Sequence, residues 1–290
     1  MTRADSKSKL PEGVKVAQID YNDESTLVSA LEGHQVLIIT LSIKAAPDTQ
    51  SKLIQAAAKV GIRYVMPNAW GLDILNPDLT KSVMMEGINK ACAQIEAAGM
   101  TYMTLTCGFW YEYSLVNGPV CFGFEIPSKK VTFYDDGKTK INVSTWDQCG
   151  RAIAALFSFK ELPEDENDKS TTVNSWRNKP VTISSFLVSQ KDMFESWKRV
   201  TGDKDEDWTI EYQPTSERHE EGKKRLQAGD RLGYGMLLYA RNFYPDGTGA
   251  YESKYGLQNA VLGLPEEDLD ERTKVAIQMV ESGYSYFDRN

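Results

Sequence analysis

Residues 35–71 constrain the fold more than any other stretch of the chain. Gln35-Val-Leu-Ile-Ile-Thr-Leu-Ser42 is apolar, rich in β-branched residues and too short for a core helix. That composition reads as a strand buried on both faces. Leu53, Ile54, Ala57 and Val60 then recur at helical spacing, and Gly61 stands where a helix C-cap glycine belongs. Ile62-Arg-Tyr-Val-Met-Pro67 follows as a second strand. Strand, helix and strand in so few residues make a βαβ unit with parallel strands and a right-handed crossover. Ligands of such sheets gather at the carboxyl ends of the strands. The first places to look for chemistry are therefore Thr40-Leu41-Ser42 and Pro67-Asn68-Ala-Trp70-Gly71.

The same alternation extends both ways. Gly13–Asp20 alternates as a strand, Glu24–Leu31 is a helix capped by Asn22 or Asp23, and Asn76–Thr80 is a turn and cap. Lys81–Ala98 reads as one helix and Thr101–Cys107 as a strand, whose carboxyl end adds Cys107-Gly108 to the candidate site. The pattern to residue 107 is that of a doubly wound α/β domain with a parallel sheet. Beyond it the character changes. Phe109-Trp-Tyr-Glu-Tyr113 places four aromatics in five residues. Asp135-Asp-Gly-Lys138 reads as the turn of a hairpin between 130–134 and 140–144. Helices are expected at 145–157, 189–201, the second half of 203–230, and 264–282. The expected division is 1–108, with 140–160 returning to it, and a substrate-binding α+β part at 109–290.

Composition limits the partners. A net charge of −8 argues against nucleic acid and anionic membranes. No apolar run approaches the roughly 20 residues that span a bilayer. The charged start, Met1-Thr-Arg-Ala-Asp-Ser-Lys7, has no apolar segment of a signal peptide. The four cysteines lack metal-ligand spacing and are read as reduced, which suits the cytoplasm. His34 and His219 are read as surface residues, and no metal site is expected. Gly233-Tyr-Gly235 lies in an apolar segment with no strand before it, and close helix packing is the favoured reading over phosphate binding. Tyr134-x-x-x-Lys138 sits on a turn rather than a helix face and is set aside.

A series of motifs runs from residue 2 to about residue 280. It comprises Thr2-Arg3 with Ser6, Asp20-Tyr21, Ala30-Leu-Glu-Gly33, and Gln50-x-x-Leu-Ile-x-Ala-Ala-x-x-Val-Gly61. It continues with Met66-Pro-Asn-x-Trp-Gly-x-Asp73, Ile95-Glu-x-x-Gly99 and Cys107-Gly-Phe-Trp-Tyr-Glu-Tyr-Ser114. In order and spacing the chain resembles the NmrA-like and isoflavone-reductase-like family, an atypical branch of the short-chain dehydrogenases, and its fungal members above all. The resemblance implies a Rossmann-like fold, NADPH as cofactor, and reduction of a small aromatic or polyketide-type metabolite in secondary metabolism. Some members of that family are redox-sensing regulators without catalysis, and that alternative stays open, as does a truncated reductase.

The resemblance implies that Arg3 contacts the 2′-phosphate, with Lys7 assisting, and that the three strand ends line the rest of the cofactor site. Phe109, Trp110 and Tyr113 would line an apolar substrate pocket, although inter-domain packing explains them equally well. Two features depart from the family. The glycine-rich strand–loop–helix that precedes Thr-Arg in the family does not appear in this sequence, so 14–19 is expected to pair directly with 35–41. The family lysine eleven residues before the glycine of Ile-Glu-x-x-Gly is here Ile88. Lys90, about 200° further round a helix, is the catalytic candidate, against the plainer reading of a solvent-facing lysine. Glu112 is the only carboxylate in the aromatic cluster, and burial would raise its pKa and mark it as functional.

Overall fold

The computed structural model describes residues 1–3, 6, 10–42 and 44–284. The chain runs β1 (Thr2–Arg3), β2 (Gln18–Ile19), α1 (Glu24–Leu31), β3 (Val36–Ile38), α2 (Thr49–Lys59), β4 (Tyr64–Met66), β5 (Trp70–Gly71), α3 (Pro77–Ser82), α4 (Glu86–Ala97) and β6 (Thr101–Thr106). It continues through β7 (Phe109–Trp110), α5 (Tyr111–Val116), β8 (Phe124–Glu125), β9 (Lys130–Tyr134), β10 (Ile141–Ser144), α6 (Trp146–Leu156), β11 (Lys179–Thr182) and β12 (Phe186–Val188). Last come α7 (Gln190–Thr201), β13 (Thr209–Gln213), α8 (Thr215–Gln227), α9 (Leu232–Asn242), α10 (Glu252–Tyr255) and α11 (Leu269–Glu281). Two compact units result: residues 1–69, 86–104 and 172–181 in the first, and the remainder in the second.

The first unit is built on parallel ladders. β3 pairs with β4, and β4 with β6. The strand order is β11-β6-β4-β3; β5 pairs with the last two residues of β6, Leu105 and Thr106, which like β5 belong to the second unit. Helices α1, α2 and α4 bury Leu27, Leu31, Leu53, Ile54, Ala91 and Ile95 in one core with Leu37, Ile39 and Val65. The expected βαβ unit is present, with Gly61 at φ 76° closing α2. Three expectations fail here. β3 is an edge strand rather than one buried on both faces, and Ile38 is 41% exposed. Residues 14–19 do not pair with 35–41: only Gln18–Ile19 is a strand, and it pairs in parallel with β1. Its Ile19 enters the core, while Val14 and Val16 stay exposed, so the alternation there did not mark a long strand. The single helix expected over 81–98 is two helices, because Met84 takes a positive φ of 55° that no α-helix continues through.

The second unit holds two three-stranded sheets, β12-β10-β7 and β13-β9-β8. Residues 130–134 and 140–144 therefore do not form a hairpin. The turn between them is real, with the Gly137 N–H donating to the Tyr134 carbonyl, but β9 pairs with β13 and β8 while β10 pairs with β7 and β12. Asp135 explains the divergence: its carboxylate accepts from the Thr215 backbone N–H and hydroxyl, tying the turn to the start of α8. An aromatic core of Tyr111, Phe122, Phe124, Phe133, Phe194, Trp197 and Trp208 fills this unit, with α5 and α7 packed on α11. Of the glycine pair, Gly233 is the packing device, while a Cβ on Gly235 would meet only Val120 at an ordinary 3.7 Å. A Cβ on Gly233 would lie 2.4 Å from the Gly222 carbonyl oxygen, so α8 and α9 touch backbone to backbone.

Candidate functional site

In the first unit the two predicted strand ends are fastened together by one side chain. The Asn68 amide oxygen accepts from the Leu41 N–H at 3.1 Å, and its Nδ2 reaches the Leu41 carbonyl at 3.5 Å. The Asn68 N–H in turn donates to Gln50 Oε1 of α2 at 2.6 Å. Leu41-Ser42 and Pro67-Asn68 thus form one continuous ledge at the carboxyl ends of β3 and β4. Pro67 is buried beneath it, while Leu41 is half-buried and Ser42 exposed. Arg3 lies elsewhere in the same unit, on a groove of about 420 Å3 lined also by Thr2, Ser6, Glu12 and Gln18. Lys7 is outside the described residues. Lys90 is exposed on α4, whose opposite face carries Ala91, Cys92 and Ile95 into the core. Among the described residues no three His, Cys, Asp or Glu side chains are grouped to hold a metal ion.

In the second unit the Gly71 carbonyl accepts from the N–H groups of both Cys107 (2.9 Å) and Gly108 (3.0 Å). Gly108 has φ 66°, and a Cβ there would stand 1.9 Å from the Asn142 carbonyl oxygen, so no other residue fits this crossing. Asn142 is itself fixed: its Nδ2 donates to Ser184 Oγ (3.1 Å) and Glu252 Oε2 (2.7 Å), and its Oδ1 accepts from the Glu252 N–H. Beside the crossing is a cavity of about 10 Å3 lined by Asp73, Gly108, Asn142 and Asn242 among others, room for a single water. Trp70 is half-buried.

The aromatic run splits by environment. Phe109 is interior, stacked on Tyr239 at 3.9 Å and edge-on to Phe122. Trp110 and Tyr113 are half-buried, edge-on to each other at 5.9 Å, and meet Trp146, 40% exposed, at 6.3 and 6.1 Å. Tyr284 joins them through Trp146. β7 and β10 are parallel neighbours, and this aromatic face lies just past their carboxyl ends.

Glu112 is buried, 3% exposed, and its Oε2 has no hydrogen-bond partner. Burial pushes its carboxyl up to about 7, more than its own backbone N–H and the Arg272 guanidinium at 3.7 Å pull it down. Arg272 serves three carboxylates, since it also pairs with Asp147 (2.8 Å) and Glu267 (2.5 Å). Glu267 is equally enclosed but fully supplied. Burial works to raise it, yet hydrogen bonds from Ser185, Thr145 and Arg151, with the charge of Arg272, hold it below the usual carboxylate range. Sequence reading singled out Glu112 but missed Arg272 and Glu267, which lie more than 150 residues away along the chain with no local pattern to announce them. It also misplaced His219, which is buried in α8 against Tyr244, its Nδ1 3.7 Å from a Glu220 carboxylate oxygen.

Residues 2–215 match the profile of the NmrA-like family. The chain belongs to the NmrA-like family. Among curated relatives, the oxidoreductase aprR of Aspergillus flavus is 25% identical over 93% of this chain and 86% of its own length. The oxidoreductase poxI of Penicillium oxalicum is 23% identical over 96% and 85%. Among solved structures, an isoflavone reductase superposes with a TM-score of 0.67 at 20% identity, covering 93% of this chain and 88% of its own. A quinone oxidoreductase of Escherichia coli complexed with NADPH superposes at 0.61 and 17%, covering 92% and 84%. The architecture of this NmrA-like protein is therefore the Rossmann-like α/β fold of NAD(P)-binding reductases.

Proposed function

We propose that this NmrA-like protein is an NADPH-dependent oxidoreductase that reduces a small aromatic or polyketide-type metabolite of secondary metabolism. The observation that supports it most is the Asn68 link between the ends of β3 and β4, which builds a ledge where parallel sheets take their ligands. The residues present suit a nucleotide: an arginine on an open groove for a phosphate, and the ledge of Leu41, Ser42 and Asn68 at the strand ends. When bound, NADPH supplies a hydride. The chain supplies the rest. Arg3 binds the 2′-phosphate through its planar fork. Leu41, Ser42, Pro67 and Asn68 of the first unit contact the remainder of the cofactor. Phe109 stiffens the wall on which Trp110 and Tyr113 meet the substrate, and Lys90 is the proton donor this reading assigns.

Calorimetry of the purified chain with NADPH, beside NADH, tests it. Micromolar NADPH binding is expected, weakened about tenfold in Arg3→Ala by loss of a charged phosphate contact. A folded chain that binds no NADPH overturns the proposal. Binding of NADPH with no turnover over a panel of aromatic and polyketide carbonyl compounds points instead to a nucleotide-responsive protein without catalysis, a reading that the Ile88 at the family's lysine position favours.

A further inference from the structure

Two buried side-chain oxygens at one end of the second unit have nothing to bond to. Ser144 is fully buried and Glu112 is 3% exposed, and neither Ser144 Oγ nor Glu112 Oε2 has a hydrogen-bond partner. A buried polar atom left unpaired destabilises a fold, so two in one place mark a position that something else fills. Both stand at the carboxyl ends of the parallel pair β7 and β10, where parallel strands receive ligands. Ser144, the last residue of β10, is in register with Trp110, the last of β7. Residues paired across a sheet project to the same face, so the Ser144 hydroxyl lies on the side of the Trp110 ring. Glu112 follows Trp110 by two residues and is tied to the other side of the same ring cluster. Arg272 reaches Glu112 Oε1 at 3.7 Å and, at 2.8 Å, the carboxylate of Asp147, next to Trp146. α6 begins one residue past Thr145, whose hydroxyl accepts from the Gln148 N–H at 3.0 Å. The N–H groups of Trp146 and Asp147, in its first turn, have no carbonyl within the helix to bond.

We infer that Ser144 and Glu112 are substrate-binding residues, which receive the carbonyl oxygen of an aromatic ketone whose rings lie on Trp110, Tyr113 and Trp146. They take this role only if Trp110 and Tyr113 form the substrate face, the reading on which the proposal rests, and they supply the atoms that prefer a carbonyl to a bare hydrocarbon. The groups gathered here are donors: the Ser144 hydroxyl, the first N–H groups of α6, and the acid O–H of Glu112, whose carboxyl burial pushes up to about 7. Donors beside an aromatic face fit an aryl ring that carries an oxygen with free lone pairs. Both oxygens are enclosed, so the ligand enters by displacing Trp146, the most exposed of the three rings. The ionisable groups facing Glu112 are Asp147 and Cys149 of α6, Arg272 of α11 and Glu267 just before α11. Asp147 and Glu267 are paired with Arg272, which leaves Glu112 as the acid with a proton to give. Ionised Glu112 cannot donate, so affinity falls as the pH rises through about 7, by about tenfold for each unit above it.

The purified chain, without NADPH, is titrated with α-tetralone and with tetralin, the same bicyclic skeleton with and without the carbonyl, by calorimetry and tryptophan fluorescence. At about pH 6 α-tetralone is expected to bind about tenfold more tightly than tetralin, and its affinity is expected to fall about tenfold by about pH 8, while that of tetralin stays level. Ser144→Ala is expected to weaken α-tetralone about fivefold and to leave the pH profile in place. Glu112→Gln keeps a donor that cannot ionise, and is expected to hold α-tetralone equally at both pH values, a rescue that a merely structural carboxyl does not give. Equal affinities for the two compounds, no binding of α-tetralone, or a pH profile unchanged in Glu112→Gln each overturns the inference, and the first two need no variant to fold. None of these readings involves the cofactor. A chain that binds α-tetralone in this way but no NADPH keeps the carbonyl site and loses the reductase proposal, and one that binds NADPH but fails here does the reverse.

Discussion

Glu267 and Glu112 sit side by side on the same arginine, yet one is held charged and the other is held near neutrality. The difference is the donor supply. Glu267 receives Ser185, Thr145, Arg151 and Arg272, and an enclosed carboxylate with that many partners remains ionised. Truncating it takes one carboxylate from Arg272 and from Arg151 and removes the acceptor of the buried Thr145 hydroxyl and the half-buried Ser185 hydroxyl. Glu267→Ala is therefore expected to destabilise the fold by about 3 kcal/mol in denaturant titration. Glu112 has one distant cation and an orphan oxygen. Its folded pKa, about 7, lies above the unfolded value of 4.5. Its favourable contribution is thus complete below pH 4.5 and is lost as the pH rises through 7. Glu112→Gln is expected to flatten the stability profile across that window by on the order of 3 kcal/mol. Unfolding curves of both proteins on either side of the window decide it, and an unchanged slope refutes the account. Glu112 was visible in the sequence as the one acid among aromatics. Its environment was not, because burial and the distance to Arg272 are properties of the packed chain.

At the level of elements, local rules located most helices correctly. Asp23, Asn76, Thr145, Ser189 and Asp268 each cap the helix that follows through their own side chains. Close packing at Gly233 was also readable from the apolar segment around Gly233-Tyr-Gly235, whereas its partner Gly222, in a charged helix, was not. Replacing Gly233 by Ala gains about 1 kcal/mol of helix propensity. It also drives a methyl into the backbone of α8, 2.4 Å from the Gly222 oxygen and 2.5 Å from the Leu226 nitrogen. Backbone cannot move aside as a flexible side chain would, so overpacking wins. Gly233→Ala is expected to cost about 2 kcal/mol, measured by thermal or chemical unfolding. Strand partners were harder to read. The turn at 135–138 has the residues of a hairpin, but which strands pair is set by the whole sheet, and Asp135 sends its flanks to different sheets. His219 failed for the same reason: nothing in α8 itself announces that Tyr244 will cover its ring.

For the molecule as a whole, the proposed cofactor gives a linked prediction. A ligand that binds only the folded state stabilises it by about 2.7 kcal/mol at a hundred times its dissociation constant. NADPH is expected to raise the unfolding temperature in a concentration-dependent way, NADH less, and Arg3→Ala is expected to remove most of the difference. Equal shifts with both nucleotides refute the role given to Arg3. Among the described residues no helix is long and apolar enough to cross a membrane.

Periodicity, caps and glycine positions act within one or two turns of chain, so they alone disclosed the βαβ unit, the parallel sheet and the positions of most helices. The order of the motifs was enough to indicate the family. Three dimensions were needed for everything that depends on residues far apart in the chain. The Asn68 clasp, the crossing at Gly108 and the Glu112–Arg272–Glu267 triad all arise where packing closes a long loop of chain. No local pattern records such a closure, because its stability is decided by burial and partner geometry rather than by neighbours in sequence.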